Sequence, residues 1–155
     1  MCPRKCSIIS SPVFTLAAGE NEQTLDFGFL AGATLGNLVW NDANNDGIKD
    51  GAESGIDGVN VTLLNSSGAP ADDPNQAGVQ AYIITTSGGG LFSFVNLAPG
   101  NYRMRIATPP ALYPASSAVT DTSDNSEDDD DNGSQAMATA PVTSPLIGLA
   151  HGETE

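Results

Sequence analysis

The chain has 155 residues, with 19 acidic against 5 basic side chains and a formal net charge of −14. That charge argues against nucleic-acid binding and against docking on an anionic membrane, because both require basic surface. The 17 glycines, 10 prolines and 15% charged residues favour short strands with many turns over a helical bundle.

The first eleven residues are expected to form an N-terminal tail. Cys2 and Cys6 close a small disulfide, link subunits in an oxidising compartment or remain two free thiols. The basic start and the moderately apolar stretch 7–18 resemble a weak signal peptide, although Pro12 and several serines interrupt it. No apolar run approaches the ~18 residues of a membrane-spanning helix, so the route of export stays open.

Alternating apolar residues predict short strands along the rest of the chain. Leu25, Phe27 and Phe29 alternate with polar or small residues and predict the first strand. An apolar patch follows around residues 35–40. Further strands are predicted over residues 59–63, 82–86, 91–95, 101–107 and 142–149. Since no segment has helical periodicity, the pattern predicts an all-β, two-sheet sandwich.

Residues 42–53 match the twelve-residue Ca²⁺-binding loop of an EF-hand. Its ligand positions 1, 3, 5, 7, 9 and 12 are filled, in that order, by Asp42, Asn44, Asp46, Ile48, Asp50 and Glu53. Gly47 stands at position 6, where the chain turns sharply. Without flanking helices, the loop is predicted to be a Ca²⁺-bound structural clamp between strands. The alternative is a hydrated turn without an ion.

A second acidic stretch covers residues 121–132. Its candidate metal ligands are Asp121, Asp124, Asp128, Asp130 and Asn132. Alternate residues of an extended chain face the same side, so Asp128 and Asp130 can share an ion. The stretch therefore forms one or two further Ca²⁺ sites or, alternatively, a solvated acidic loop.

Three stretches resemble the B domain of serine–aspartate-repeat surface proteins. They read LGNLVWND at 35–42, followed by the candidate Ca²⁺ loop, then ESGIDGVNVTL at 53–63 and FSFVNLAPGNY at 92–102. The resemblance covers about residues 12–155, including the acidic stretch. It implies a prealbumin-like, Ig-like Greek-key sandwich of the collagen-adhesin B type, which binds Ca²⁺ and stands in tandem in cell-surface stalks.

Two departures from that family pattern limit what the resemblance implies. Ser87–Gly90 replaces the family's Asp and Asn in the turn before the Phe-x-Phe strand, so no strong ligand is expected from this turn. Some relatives carry a Lys–Asn isopeptide bond. Lys5 and Lys49 are the only lysines here and neither lies on the module's first strand, so no such bond is expected.

The order of the segments also departs from the family. Residues 12–20 resemble residues 145–153, but the strand at 25–29 that closes a family repeat precedes the module. We expect residues 31–155 to form a sandwich without its last strand, and residues 12–30 to be a donor-strand segment that fills the open edge. A fragment cut arbitrarily from a tandem array is the alternative.

The donor segment belongs either to the same chain, as a circular permutant, or to a neighbour. The connector 30–34 reaches at most about 18 Å, whereas a strand of about eight residues spans roughly 27 Å. This favours a neighbouring copy, and a head-to-tail contact that does not close produces a filament.

The sequence thus predicts a non-catalytic, Ca²⁺-binding structural subunit of an extracellular bacterial fibre or stalk, with copies of itself as partners. His151 is the only histidine and is expected in solvent, which leaves few candidates for a catalytic triad. Trp40, Phe94 and Tyr102 are expected in the core. The alternative functions are an adhesin module for a host or matrix ligand and an accessory domain of a larger secreted protein.

Overall fold

The computed structural model describes residues 10–21, 23, 25–120 and 131–155. Within these ranges the chain contains no helix, and so no helix that could cross a membrane. It forms the strands β1 (Ala33–Leu38), β2 (Asn60–Asn65), β3 (Ile83–Thr85), β4 (Leu91–Leu97), β5 (Gly100–Ile106), β6 (Ser134–Gln135), β7 (Val142–Thr143) and β8 (Ile147–Leu149).

The strands make two antiparallel sheets. β1 and β4 form the smaller sheet, with Leu35 opposite Phe94. The larger sheet has the order β3-β2-β5-β7-β6, and β8 also pairs with β5. The prediction of an all-β, two-sheet sandwich is confirmed.

The core lies between the two sheets. Val61 and Leu63 of β2 are buried because alternate residues of a strand face the same side. Leu35 and Phe94 meet them from the smaller sheet and are fully buried. The Phe94 ring packs edge-on against Tyr82, with the ring centroids 4.9 Å apart. Of the residues expected in the core, Phe94 is confirmed, while Trp40 and Tyr102 are only half-buried.

The strands predicted after residue 58 are present with shifted ends. The last predicted stretch is divided into β7 and β8 by Ser144, Pro145 and Leu146. The Met104 N–H donates to the Ser144 hydroxyl at 2.9 Å, so a side chain and not a backbone carbonyl accepts this hydrogen bond between the strands. Pro145 has no N–H to donate to the neighbouring strand. Both residues of β6, Ser134 and Gln135, are polar, so no apolar pattern could predict this strand.

The N-terminal segment differs from the prediction. Residues 25–30 are exposed and belong to neither sheet, so the strand predicted at 25–29 is absent from the isolated chain, and the segment does not close its own sandwich. An extended segment gains strand hydrogen bonds only from a neighbouring edge. Beside β1 lie residues 153–155 instead, in parallel orientation, with the Thr34 N–H donating to the Glu153 carbonyl at 2.8 Å.

Candidate metal site

The loop 42–53 leaves the sandwich where β1 ends. Trp40 forms an antiparallel bridge with Gly55, and the Asn41 N–H donates to the Ser54 carbonyl at 2.9 Å. These contacts join the two ends of the loop. Any ion bound in the loop is therefore anchored to the sheet through a short neck of backbone hydrogen bonds.

Asp42 organises the first turn of the loop. Its Oδ1 accepts the Asn45 N–H at 2.6 Å, and its Oδ2 accepts the Gly47 N–H at 3.0 Å. Burial alone raises the pKa of Asp42, but hydrogen bonds from the Ser117 side chain and from these backbone amides outweigh it. The pKa is lowered from its ordinary value, so the carboxylate is charged at neutral pH, as a metal ligand must be.

Three further predicted ligands meet at the side chain of Asn44. Its Nδ2 donates to Asp46 Oδ2 at 2.8 Å and to Asp50 Oδ2 at 3.2 Å. The amide N–H₂ group thus stands between two carboxylates, where a cation would neutralise both. The other end of the same side chain carries a carbonyl oxygen, which is the group that Ca²⁺ binds.

Glu53 closes the loop. Its Oε1 accepts the Ala43 N–H at 2.6 Å, and its Oε2 accepts the Asp50 N–H at 3.1 Å. The last ligand position therefore lies against the first residues of the loop. Such a carboxylate is placed to bind an ion with both oxygens.

The donor set of the loop fits a Ca²⁺ ion. Five oxygen-bearing side chains and the Ile48 carbonyl supply the six to eight oxygens of a Ca²⁺ shell once water is added. Among the residues described, no three Asp, Glu, His or Cys side chains converge tightly enough to hold a metal alone. Hydrogen bonds to the predicted ligand side chains therefore order the loop. A bound ion would draw the oxygens of these side chains inward.

The second acidic stretch is described only at its edges. Asp121, Asp124, Asp128 and Asp130 lie outside the described residues, and Asn132 is half-buried. On one side of the stretch, the Ala118 N–H donates to Asn45 Oδ1 at 2.8 Å. On the other side, the Asp131 N–H donates to the Gly47 carbonyl at 2.9 Å. Both flanks of the acidic stretch therefore contact the first loop.

Sequence reasoning missed the residues that make this junction. Asp131 is held by the Ser116 hydroxyl at 3.3 Å and by the Gly133 N–H at 2.7 Å. Ser117 hydrogen-bonds to Asp42. Asp131 belongs to a visible acidic run. Nothing in the sequence marks Ser117, more than seventy positions after Asp42, as a partner of the loop, or Ser116 as a partner of Asp131.

Gly47 shows how closely the junction is packed. Its φ is +78°, a backbone conformation that residues with a Cβ disfavour. A Cβ at this position would also collide with the carbonyl of Val119. The sharp turn at loop position 6 thus serves the contact with the flank of the acidic stretch as well as the loop itself.

The Ser87–Gly90 turn is supported by a residue that was not predicted. Asp57 Oδ1 accepts the N–H groups of Gly89 at 2.9 Å and of Gly90 at 2.7 Å. The carboxylate of Asp57, in the turn before β2, thus holds the backbone of the Ser87–Gly90 turn. His151, expected in solvent, is exposed, and Cys2 and Cys6 lie outside the described residues.

Comparison with known proteins identifies similar domains. Residues 33–147 match a family model described as SdrD B-like domain. The chain is 35% identical over 117 residues to a bone sialoprotein-binding protein of Staphylococcus aureus, covering 74% of this chain and 9% of that protein. A serine-aspartate repeat-containing protein E of S. aureus gives the same values. A fibrinogen-binding protein of Staphylococcus epidermidis is 34% identical over 121 residues, 77% of this chain and 10% of its own length. The chain thus spans about a tenth of these relatives.

Proposed function

The chain belongs to the SdrD B-like domain family, and we propose that it is a non-catalytic, Ca²⁺-binding structural module of an extracellular bacterial surface protein. The resemblance inferred from the sequence motifs is confirmed by this membership. The metal, the location outside the cell and the mode of assembly are parts of the proposal.

The observation that carries the proposal is the arrangement of the loop 42–53. All five of its oxygen-bearing candidate ligand side chains make hydrogen bonds within the loop, and the Asn44 amide lies between the carboxylates of Asp46 and Asp50. The chain has a net charge of −14. A bound cation would relieve the repulsion that these grouped carboxylates impose on the folded state.

The ion would act as a clamp between distant segments. The loop is tied to the sandwich by its neck at Asn41 and Ser54, and to the flanks of the acidic stretch through Asn45 and Gly47. Fixing the loop therefore also fixes residues near 118 and 131. Because the unfolded chain lacks this arrangement, ion binding stabilises the fold by linkage.

We further propose that copies of the chain join head to tail into a fibre or stalk. The support is the N-terminal segment, whose Leu25, Phe27 and Phe29 alternate like a strand but are 41%, 51% and 79% exposed. Large apolar side chains in such a run are costly in water, and addition to a sheet edge of another copy would bury them.

An adhesin module is the second candidate. Two of the relatives are named for binding bone sialoprotein and fibrinogen. Since this chain spans about a tenth of each of them, those activities belong to the whole relatives. An accessory role in a larger secreted protein is the third candidate, and it would require a catalytic domain elsewhere in that protein.

Calcium binding tests the proposal first. Titration of the metal-free chain by isothermal calorimetry should show binding of Ca²⁺ that is tighter than binding of Mg²⁺, because a mixed, flexible shell suits the larger ion. The Asp46→Ala variant should bind more weakly. Absence of any Ca²⁺ binding to the wild-type chain would contradict the proposal. Sedimentation and electron microscopy of the same sample test the assembly.

A further inference from the structure

We propose that the edge of β1 beyond Gly36 accepts residues Leu25–Phe29 of a second copy as a parallel strand. The inference rests on the strand exchange in the proposed function. It adds the place of the acceptor, the direction of the incoming strand and the groups that this strand satisfies.

The hydrogen-bonding direction along β1 defines this edge. The N–H groups of Thr34 and Gly36 donate to the carbonyls of Glu153 and Glu155, each at 2.8 Å. Because backbone groups alternate in direction along a strand, the backbone N–H and carbonyl groups of Leu38 and Trp40 point to the same side as those of Thr34 and Gly36. In the part of the chain that the structure describes, no backbone segment pairs with these two residues on that side.

On the opposite side of the same segment, the backbone N–H and carbonyl groups already have hydrogen-bond partners. The Val39 N–H donates to the Gly90 carbonyl at 2.9 Å, and the Val39 carbonyl accepts the Ile56 N–H at 2.8 Å. The Asn41 N–H donates to the Ser54 carbonyl at 2.9 Å. The chain from residue 38 to residue 41 is therefore fixed on one side, and the backbone groups of Leu38 and Trp40 on the other side are already placed for an incoming strand.

A groove of about 350 Å³ lies beside this edge, between the two sheets. Its apolar lining comes from both sheets and includes Leu38, Trp40, Phe92, Met104, Ile106 and Val142. Phe92, Met104 and Ile106 pack against the core but are only partly buried. The sandwich is thus open to solvent along one side, where a strand with one apolar face would cover it.

Trp40 supplies a second, independent sign of a missing neighbour. Its indole Nε1 is buried and has no hydrogen-bond acceptor among the described residues, although Trp40 lines the groove. Buried donors are almost always paired, because leaving one unpaired is costly. This unpaired donor belongs to the wall of the groove that an added strand would cover.

The N-terminal segment has the character that this edge requires. Leu25, Phe27 and Phe29 give one apolar face, and Asp26 and Gly28 give the other. The internal repeat points to the same segment. Residues 12–20 resemble 145–153, and the chain enters the β1 edge at Glu153. In the first copy of the repeat, the strand at 25–29 follows the equivalent glutamate, Glu20, after a few residues.

Leu25–Phe29 cannot reach the groove of their own copy, so the proposed donor is the same segment of a second copy. A strand that continues the direction of residues 153–155 and lies beside residues 38–42 would end roughly 30 Å from the start of β1. The three residues 30–32 that join Phe29 to β1 span at most about 14 Å. An antiparallel return is blocked, since Glu153–Glu155 already occupies the edge beside Thr34 and Gly36.

The other sheet edges are poorer acceptors. β3 has three residues and β6 has two, and no residue of either strand lines the groove beside Leu38 and Trp40. The donor precedes β1 and the acceptor lies at the far end of the same strand. Such a head-to-tail contact produces an open filament when the rotation between copies does not close.

The test uses the full chain and the variant Leu25→Ser/Phe27→Ser/Phe29→Ser, in Ca²⁺ throughout. Because these side chains are exposed in the isolated chain, the variant should keep its fold, measured by circular dichroism and a cooperative melting transition. In sedimentation velocity the wild type should form oligomers that grow with concentration, and the variant should stay monomeric. The control Val79→Ser/Leu112→Ser alters side chains that are 79% and 86% exposed and lie outside the donor segment, and it should assemble like the wild type.

The acceptor is then located by hydrogen exchange. A synthetic peptide of residues 20–30, added to the monomeric variant, should slow exchange of the Leu38 and Trp40 amides at least about tenfold. The same peptide with serine at positions 27 and 29 should not. Protection of β3 in place of these amides would overturn the inference while leaving strand exchange intact. A wild-type chain that stays monomeric would contradict the strand exchange itself.

Discussion

Replacing Glu53 with glutamine tests the site at its closing ligand. Without metal, glutamine keeps one of the two oxygens that accept the Ala43 and Asp50 N–H groups, so the fold should lose about 0.5–1.5 kcal/mol. With Ca²⁺ the loss is larger. A unit charge about 2.5 Å from a divalent ion contributes about 3 kcal/mol even at the dielectric constant of water, which corresponds to roughly 100-fold weaker binding.

The assay compares melting temperatures of the wild type and Glu53→Gln, each in EDTA and in excess Ca²⁺, together with calorimetric titration of both. The stabilisation by Ca²⁺ should be much smaller in the variant. Glu20→Gln is the matched control, because Glu20 accepts a backbone N–H from Ala17 but lies outside the loop. Equal stabilisation by Ca²⁺ in the wild type and Glu53→Gln would refute the assignment of Glu53 as a ligand.

Substitutions at three further positions test the site and the core that supports it. Gly47→Ala should cost at least about 1–2 kcal/mol, because alanine is strained at positive φ and its Cβ would meet Val119; urea unfolding measures this. Phe94→Ala should cost about 3–5 kcal/mol, since Phe94 is fully buried against Tyr82, and a loss below about 1 kcal/mol would contradict its place in the core. Asp57→Ala should cost about 1–2 kcal/mol through its two lost hydrogen bonds. Asp57→Asn, which keeps the accepting oxygen, should recover most of that loss in the same unfolding assay.

The central strands could be predicted from the sequence because their side chains report burial directly. Val61 and Leu63 are apolar at alternate positions and face the core in β2. Leu25 and Phe27 carry the same pattern without forming a strand in the isolated chain. Periodicity shows that a segment can be a strand, but a strand also needs a partner edge, and the pattern of one segment does not specify its partner.

The candidate Ca²⁺ loop could be predicted from the sequence because its ligand pattern is local. The ligand positions of the loop 42–53 are close in sequence, so their spacing already encodes their geometry. The contacts of the loop with Ala118 and Asp131 join residues far apart in the chain. They depend on how the connections between strands pack, which no spacing rule describes. The open edge at Leu38 and Trp40 likewise required the observed strand pairing.

Thermal unfolding of the wild-type chain with and without bound Ca²⁺ tests the central claim most directly. The chain as purified should contain Ca²⁺ by elemental analysis. Ca²⁺ at 100 to 1,000 times its dissociation constant should stabilise the fold by about 2.7–4.1 kcal/mol relative to EDTA, or roughly 5–15 °C for a chain of this length. A chain without bound Ca²⁺, whose melting temperature is the same in EDTA and in excess Ca²⁺, would contradict the claim.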